Sequence, residues 1–280
     1  MTLKDLENTA PWEWPKNAGR KLMEVLRDAK SLAADRLTAA DLAGSLTVMS
    51  DDMAEALLAI VRRGAEPDDL RARAAISLGP ALEAADTEAI ADMGWDAPIS
   101  EQMFDRIREE LRQTYEDGAT SKEVRRRVLE ASVRAPQEWH EEAVRTAYAG
   151  ADAEWKLTSA FCMRYVRGFD AEIMKLLESS DPEIKYEAIL AAGEREIAAA
   201  WPRVRALLDP PSSDKRLLLA AIEASASIQP EEARKILLGL LDSDDEEIVE
   251  AADDAIAMAE GYSDDEDDED DEDDEEDEPF

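Results

Sequence analysis

The side chains with the most distinctive chemistry in this 280-residue chain are also its rarest, one histidine (His140) and one cysteine (Cys162). A thiol within reach of an imidazole makes a nucleophile and its base. His140 stands in "PQEWHEEAV", near a helix start, and Cys162 in "SAFCMRYV", where Phe161, Cys162 and Tyr165 pattern as packed helix residues. A free cysteine in that setting behaves as a small buried hydrophobe, so the pair points to packing and no catalytic residue is expected. Zinc is served no better, since neither Cys-x-x-Cys nor His-x3-His spacing occurs. The 68 carboxylates lie too densely for their spacing to single out an acid/base pair, and no metal site or cofactor is expected. A single cysteine excludes an internal disulfide and fits a reducing compartment.

Charge carries more information. The formal net charge is −36, and Asp264 to Glu278 are fifteen consecutive carboxylates, which leaves −21 on the rest. Phosphate backbones and anionic lipid surfaces are repelled by such a body, so neither a nucleic acid nor a membrane is expected as partner. The acidic run, opening with Asp264, Asp265, Glu266, Asp267, Asp268 and Glu269, cannot bury apolar surface and reads as disordered when alone. The roles open to it are solubilisation, recruitment of a basic partner or, weakly, of divalent cations, and competition in cis for basic side chains. Between Lys122 and Arg167 the balance reverses, with nine basic residues against seven acidic ones. Arg125, Arg126, Arg134, Trp139, Arg164 and Arg167 are the candidate partner-binding residues of this stretch, because arginine beside aromatics is the composition of interface hot spots. The alternative is that Arg126 and Arg127 pair with neighbouring Glu on solvated helix faces and that the aromatics are core.

These residues must be positioned by helices. In "SDPEIKYEAILAAG" (180–193), Asp181 can cap, Pro182 sits where no N–H is needed, and Ile184, Ala188, Ala191 and Ala192 share one face. Trp155, Leu217 and Ile248 occupy the place of Ile184 in similar segments, and Val124 does so one unit earlier, giving steps of 31, 29, 33 and 31 residues from Val124 to Ile248. Leu70 stands in the same place 54 residues before Val124, the excess being taken up by "ADTEAIADMGWDAPIS" (85–100). Second helices are expected at 170–177, 198–208 and 231–241. A helix–turn–helix unit recurring near every thirty residues is the signature of a solenoid. Strand signals are absent, and nowhere do eighteen apolar residues run together.

The segment "DPEIKYEAILAAG" resembles the first-helix motif of short bacterial HEAT-like repeats, in which an Asp-Pro start precedes a β-branched residue, a basic residue and an alanine-rich run. Related matches at 67–79, 121–133, 152–164, 214–226 and 244–256 extend the resemblance to about two thirds of the chain. It implies an all-α, right-handed α-solenoid whose surface binds other proteins. The expected organisation is a leader or cap over 1–15, with Trp12 and Trp14 folded back onto the first helices, then the solenoid over 16–262 with an insertion at about 86–99, then the acidic tail over 263–280. Three N-terminal helices are read from 15–29, 38–49 and 50–63. A monomeric, cytoplasmic, non-enzymatic scaffold or adaptor follows as the expected function. The alternative is an enzyme or enzyme subunit resembling the HEAT-like phycobilin lyases; similar proteins also include DNA glycosylases, which the acidic body disfavours.

Overall fold

A computed structural model describes residues 2–86 and 97–269 of the chain, with side chains as far as Glu260. Every regular element among the described residues is helical, apart from an isolated bridge between Leu208 and Pro211. The chain divides into two compact units, Met1–Thr146 and Ala147–Phe280.

The first unit contains α1 (Leu3–Glu7), α2 (Ala18–Arg27), α3 (Ala33–Ala43), α4 (Asp51–Arg62), α5 (Asp68–Ile76), α6 (Gly79–Asp86), α7 (Glu101–Glu116), α8 (Lys122–Ser132) and most of α9 (Glu138–Ala149). Helices α3, α5 and α8 stack side by side, and α2, α4 and α7 form a second layer against them. Their facing sides supply a core that includes Leu22, Leu57, Leu70, Leu78, Ile107, Leu111, Val124 and Val128. The 54-residue step from Leu70 to Val124 is thereby explained: α5 and α8 are neighbours in the stack although α6, the intervening segment and α7 separate them in sequence. Most of the interruption expected at about 86–99 falls on residues 87–96, outside the described residues.

Two expectations for the N-terminal part need correction. The expected irregular leader contains α1, closed by a capping box in which Thr2 Oγ1 accepts the Asp5 N–H and the Asp5 carboxylate accepts the Thr2 N–H. Trp14 does fold back, its indole N–H donating to the carbonyls of Leu6 (3.0 Å) and Thr9 (2.9 Å), but Trp12 is 82% exposed. The helix read from 38–49 instead spans Ala33–Ala43 and starts without a side-chain cap; burial of Ala39, Ala40 and Ala43 places it, whatever its capping residues.

Three arginines repeat one device along this unit. Arg36 donates to Leu26 O (3.1 Å), Arg71 to Val61 O (2.9 Å) and Arg125 to Tyr115 O (2.9 Å), each reaching ten residues back. The acceptor in every case belongs to the last turn of the preceding helix, where carbonyls lack intrahelical partners. Arginine on the first turn of α3, α5 and α8 therefore ties each hairpin shut and marks α3 as a member of the same series.

The second unit contains α10 (Ala153–Cys162), α11 (Asp170–Leu176), α12 (Pro182–Glu194), α13 (Trp201–Leu208), α14 (Lys215–Ile228), α15 (Pro230–Leu237) and α16 (Glu246–Glu269). Helices α10, α12, α14 and α16 stack in order, each of the last three packed against the second helix before it. The local cause is legible in the caps: Asp152, Asp181 and Asp214 each accept a backbone N–H of the first turn, as Ser121 does for α8. Ile184 and Leu217 are buried three residues after their caps, while Trp155 and Ile248 are half-buried in the same place. Alanines at 188, 191, 192, 220, 221 and 224 make the α12–α14 junction, and glycine at 193 lets it close further. The expected tail begins inside α16, whose backbone runs on through 263–269; residues 270–280 lie outside the described residues.

Candidate functional site

The six candidate binding residues fall in different places. Arg125, Arg126, Arg134 and Trp139 belong to the first unit, Arg164 and Arg167 to the second. Arg126, expected at the surface, is 7% exposed and so is not a surface cation. Arg125 is spent on Tyr115, donating to its carbonyl and lying 5.0 Å from its ring centroid. Arg134 pairs with Glu83 and runs over Gly79, where a side chain would leave it no room. Arg164 pairs with Glu194 at 3.1 Å beside the rings of Phe161 and Tyr165, and Arg167 is exposed. The residues 264–269 carry only a backbone description, as the end of α16.

Trp139 is where a site forms. It opens α9 and is half-buried, 5.2 Å from Tyr115 and 3.9 Å from His140 between ring centroids. An open groove of about 730 Å³ lies beside it, lined by Arg108, Arg112, Pro136, Gln137, Glu138 and Trp139. Arg112 is held by Glu116 at 2.9 Å, one turn on, and Arg108 reaches Asp105 only at 3.9 Å while lying over the Phe104 ring. Three residues of this lining, Arg108 (Nε), Gln137 (Nε2) and Trp139 (Nε1), each carry a buried N–H group without an acceptor among the described residues.

His140 packs against the Trp139 indole. It is fully buried, its Nδ1 accepts the Gln137 N–H (2.9 Å), and Nε2 therefore carries the proton toward Ser132 Oγ (3.0 Å). Burial, with the charge of Arg108 behind it, pushes its pKa down to about 3, so the ring stays neutral in ordinary buffers. With both nitrogens committed, it offers no base. Cys162 is wholly buried on α10, as its pattern implies.

Arg108 and Arg112 lie outside the stretch where local charge turns positive, and Gln137 lies inside it without a charge of its own. The signal was present: Phe104, Arg108, Arg112 and Tyr115 recur at spacings of four, four and three, one stripe of α7. In the second unit the open depressions lie along α12, α14 and α16, which are the first helices of their repeats.

Among the described residues no helix is long and apolar enough to cross a membrane. The family model for HEAT repeats matches residues 171–257. Among solved structures, the chain is similar to an engineered protein (21% identity, 74% of this chain and 96% of that one, TM-score 0.42). It is also similar to YibA of Escherichia coli (18%, 88% and 84%, 0.41) and to human deoxyhypusine hydroxylase in complex with glycerol (15%, 92% and 88%, 0.40). No curated protein sequence matches the chain. The family match lies on the α11–α16 array with its capped first helices and alanine junctions, so residues 171–257 match HEAT repeats.

Proposed function

We propose that the chain is a non-enzymatic protein-binding adaptor, and that the groove between α7 and the start of α9 takes an acceptor-rich, carboxylate-bearing segment of another protein. The observation that carries this reading is the set of buried N–H groups on Arg108, Gln137 and Trp139 around one groove. A buried donor without an acceptor costs about 1–3 kcal/mol, so supplying acceptors there is worth more than the same contacts on an open surface. Guanidinium groups of Arg108 and Arg112 select carboxylates among acceptors, and the Trp139 indole adds a rigid apolar wall. The surrounding negative body does not forbid this, because at physiological ionic strength charges are screened beyond about 8 Å.

The test is a peptide-display selection against the full chain, with R108E/R112E as the counter-selected variant. Enriched sequences should carry Asp or Glu and should lose about tenfold or more in affinity for the variant. Enrichment that survives the double substitution, or no enrichment, would refute the assignment of this groove.

A further inference from the structure

The second unit carries a groove of the opposite character. Between α14 and α16 lies a depression of about 400 Å³ with Leu219, Ala251 and Met258 on its floor and Glu223, Glu250 and Asp254 at its rim. It adjoins a smaller one, about 180 Å³, which shares Glu223 and Met258 and reaches Leu190 and Gly193 of α12. Met258 is 45% exposed and Leu219 is half-buried, so apolar surface faces solvent on the stacked face of the repeats.

The rim charge is uncompensated. Glu223, Glu250 and Asp254 are exposed and make no hydrogen bond or ion pair among the described residues. The nearest cations on α14 are already engaged: Lys215 holds Asp245 (2.7 Å) and Glu247 (2.6 Å), while Arg216 pairs with Glu183 and lies 3.9 Å from the Tyr186 ring centroid. What faces solvent is therefore an apolar strip between unpaired carboxylates, and each feature is relieved by a different part of one ligand. An apolar side chain covers the Leu219–Met258 strip, and flanking ammonium or guanidinium groups answer the rim. Phosphate-bearing ligands fail at the rim, and an acidic segment fails there too.

We propose that this groove docks a basic amphipathic helix of a partner protein, with leucine-like side chains on Leu219 and Met258 and lysine or arginine against Glu223, Glu250 and Asp254. Methionine suits such a surface, because its unbranched, polarizable side chain adapts to differently shaped apolar partners. This assignment does not depend on the α7–α9 groove, and both can hold in one adaptor with two sites of opposite sign.

The experiment uses the full chain labelled with ¹³C at its methionine methyls, the Met258 resonance being assigned from Met258→Leu. The probe is a synthetic leucine–lysine peptide with leucine at i, i+3, i+4 and i+7 spacing, compared with a scrambled peptide of identical composition. The patterned peptide should move the Met258 methyl resonance and bind about tenfold or more tightly than the scrambled one. Met258→Asp and the triple variant E223K/E250K/D254K should each weaken it by a similar factor; all four positions are exposed, and unchanged circular dichroism checks that the variants fold. Equal affinity for both peptides, or an unmoved Met258 resonance, would overturn the proposal and leave diffuse attraction to the run of carboxylates at 264–278. Concentration-dependent self-association lost in Met258→Asp would also overturn it, by giving the groove to a second copy of the chain.

Discussion

Substituting Gly193 by alanine tests how close the repeats are packed. A Cβ at Gly193 would stand 2.8 Å from Ala224 Cα and 2.9 Å from Ala224 Cβ. Carbon atoms in contact sit about 3.5–4.0 Å apart, so α12 and α14 must part by roughly 0.7 Å or more at this point. The obstacle is backbone, and neither partner can rotate away. Overpacking of this kind costs about 1–3 kcal/mol. Against it stands the helix propensity of alanine, which favours the substitution by about 0.8–1.0 kcal/mol in a helix interior. Gly19 provides the control: it lies within α2, and its nearest neighbour, Val48, would meet a new Cβ at an ordinary 3.5 Å. Gly19→Ala should therefore stabilise by up to about 1 kcal/mol, while Gly193→Ala should end neutral to about 2 kcal/mol destabilised. Urea unfolding followed at 222 nm and by tryptophan fluorescence measures both, the two probes also testing whether the units unfold together. If both substitutions raised stability alike, the α12–α14 junction would not be closed at Gly193.

Other outcomes follow from the buried arginines. Arg36, buried, and Glu66, half-buried, form a bidentate pair (2.6 and 2.9 Å), so Arg36→Met, which leaves the carboxylate without its partner, should cost about 1–3 kcal/mol by urea unfolding. Hydrogen bonds from Arg36 hold Glu66 below the usual value of 4.5, so its stabilisation is present above that pH and is lost as pH falls through the lower folded value. Glu66→Gln should accordingly flatten the acid limb of stability against pH, and an unchanged limb would refute this. Arg71→Met leaves Val61 O without its donor and should cost about 1–3 kcal/mol, a loss that thermal unfolding would register.

The repeat was legible because its determinants are local. Asp152, Asp181 and Asp214 act as caps through atoms two or three residues away, and the alanines that follow them need only a helix to share a face. Residues whose fate depends on a distant element were read less well. Trp12 and Trp14 stand two apart in "PWEWP" and look alike in sequence. The difference lies at the end of α1 and just beyond it, where the carbonyls of Leu6 and Thr9 accept the Trp14 indole N–H. The start of α3 at Ala33 was hidden for a related reason, since Thr38 offers a better cap than Leu32 but lies inside a stretch that burial had already made helical.

The run Arg125–Arg126–Arg127 shows why candidate binding residues cannot be taken from charge density alone. Successive residues of a helix point about 100° apart, so three identical side chains meet three environments. Arg125 reaches back to the carbonyl of Tyr115, Arg126 is buried, and Arg127 pairs with Glu130 one turn on. Of the three, Arg125 ties α8 to α7 and Arg127 is engaged within α8 itself. Arg108 and Arg112, in a segment whose local charge is unremarkable, line an open groove because α7 turns one stripe toward the start of α9. Arg108 is the less committed of the two, reaching Asp105 only at 3.9 Å, whereas Arg112 is held by Glu116 at 2.9 Å, and which arginines face a groove is set by packing between helices far apart in sequence.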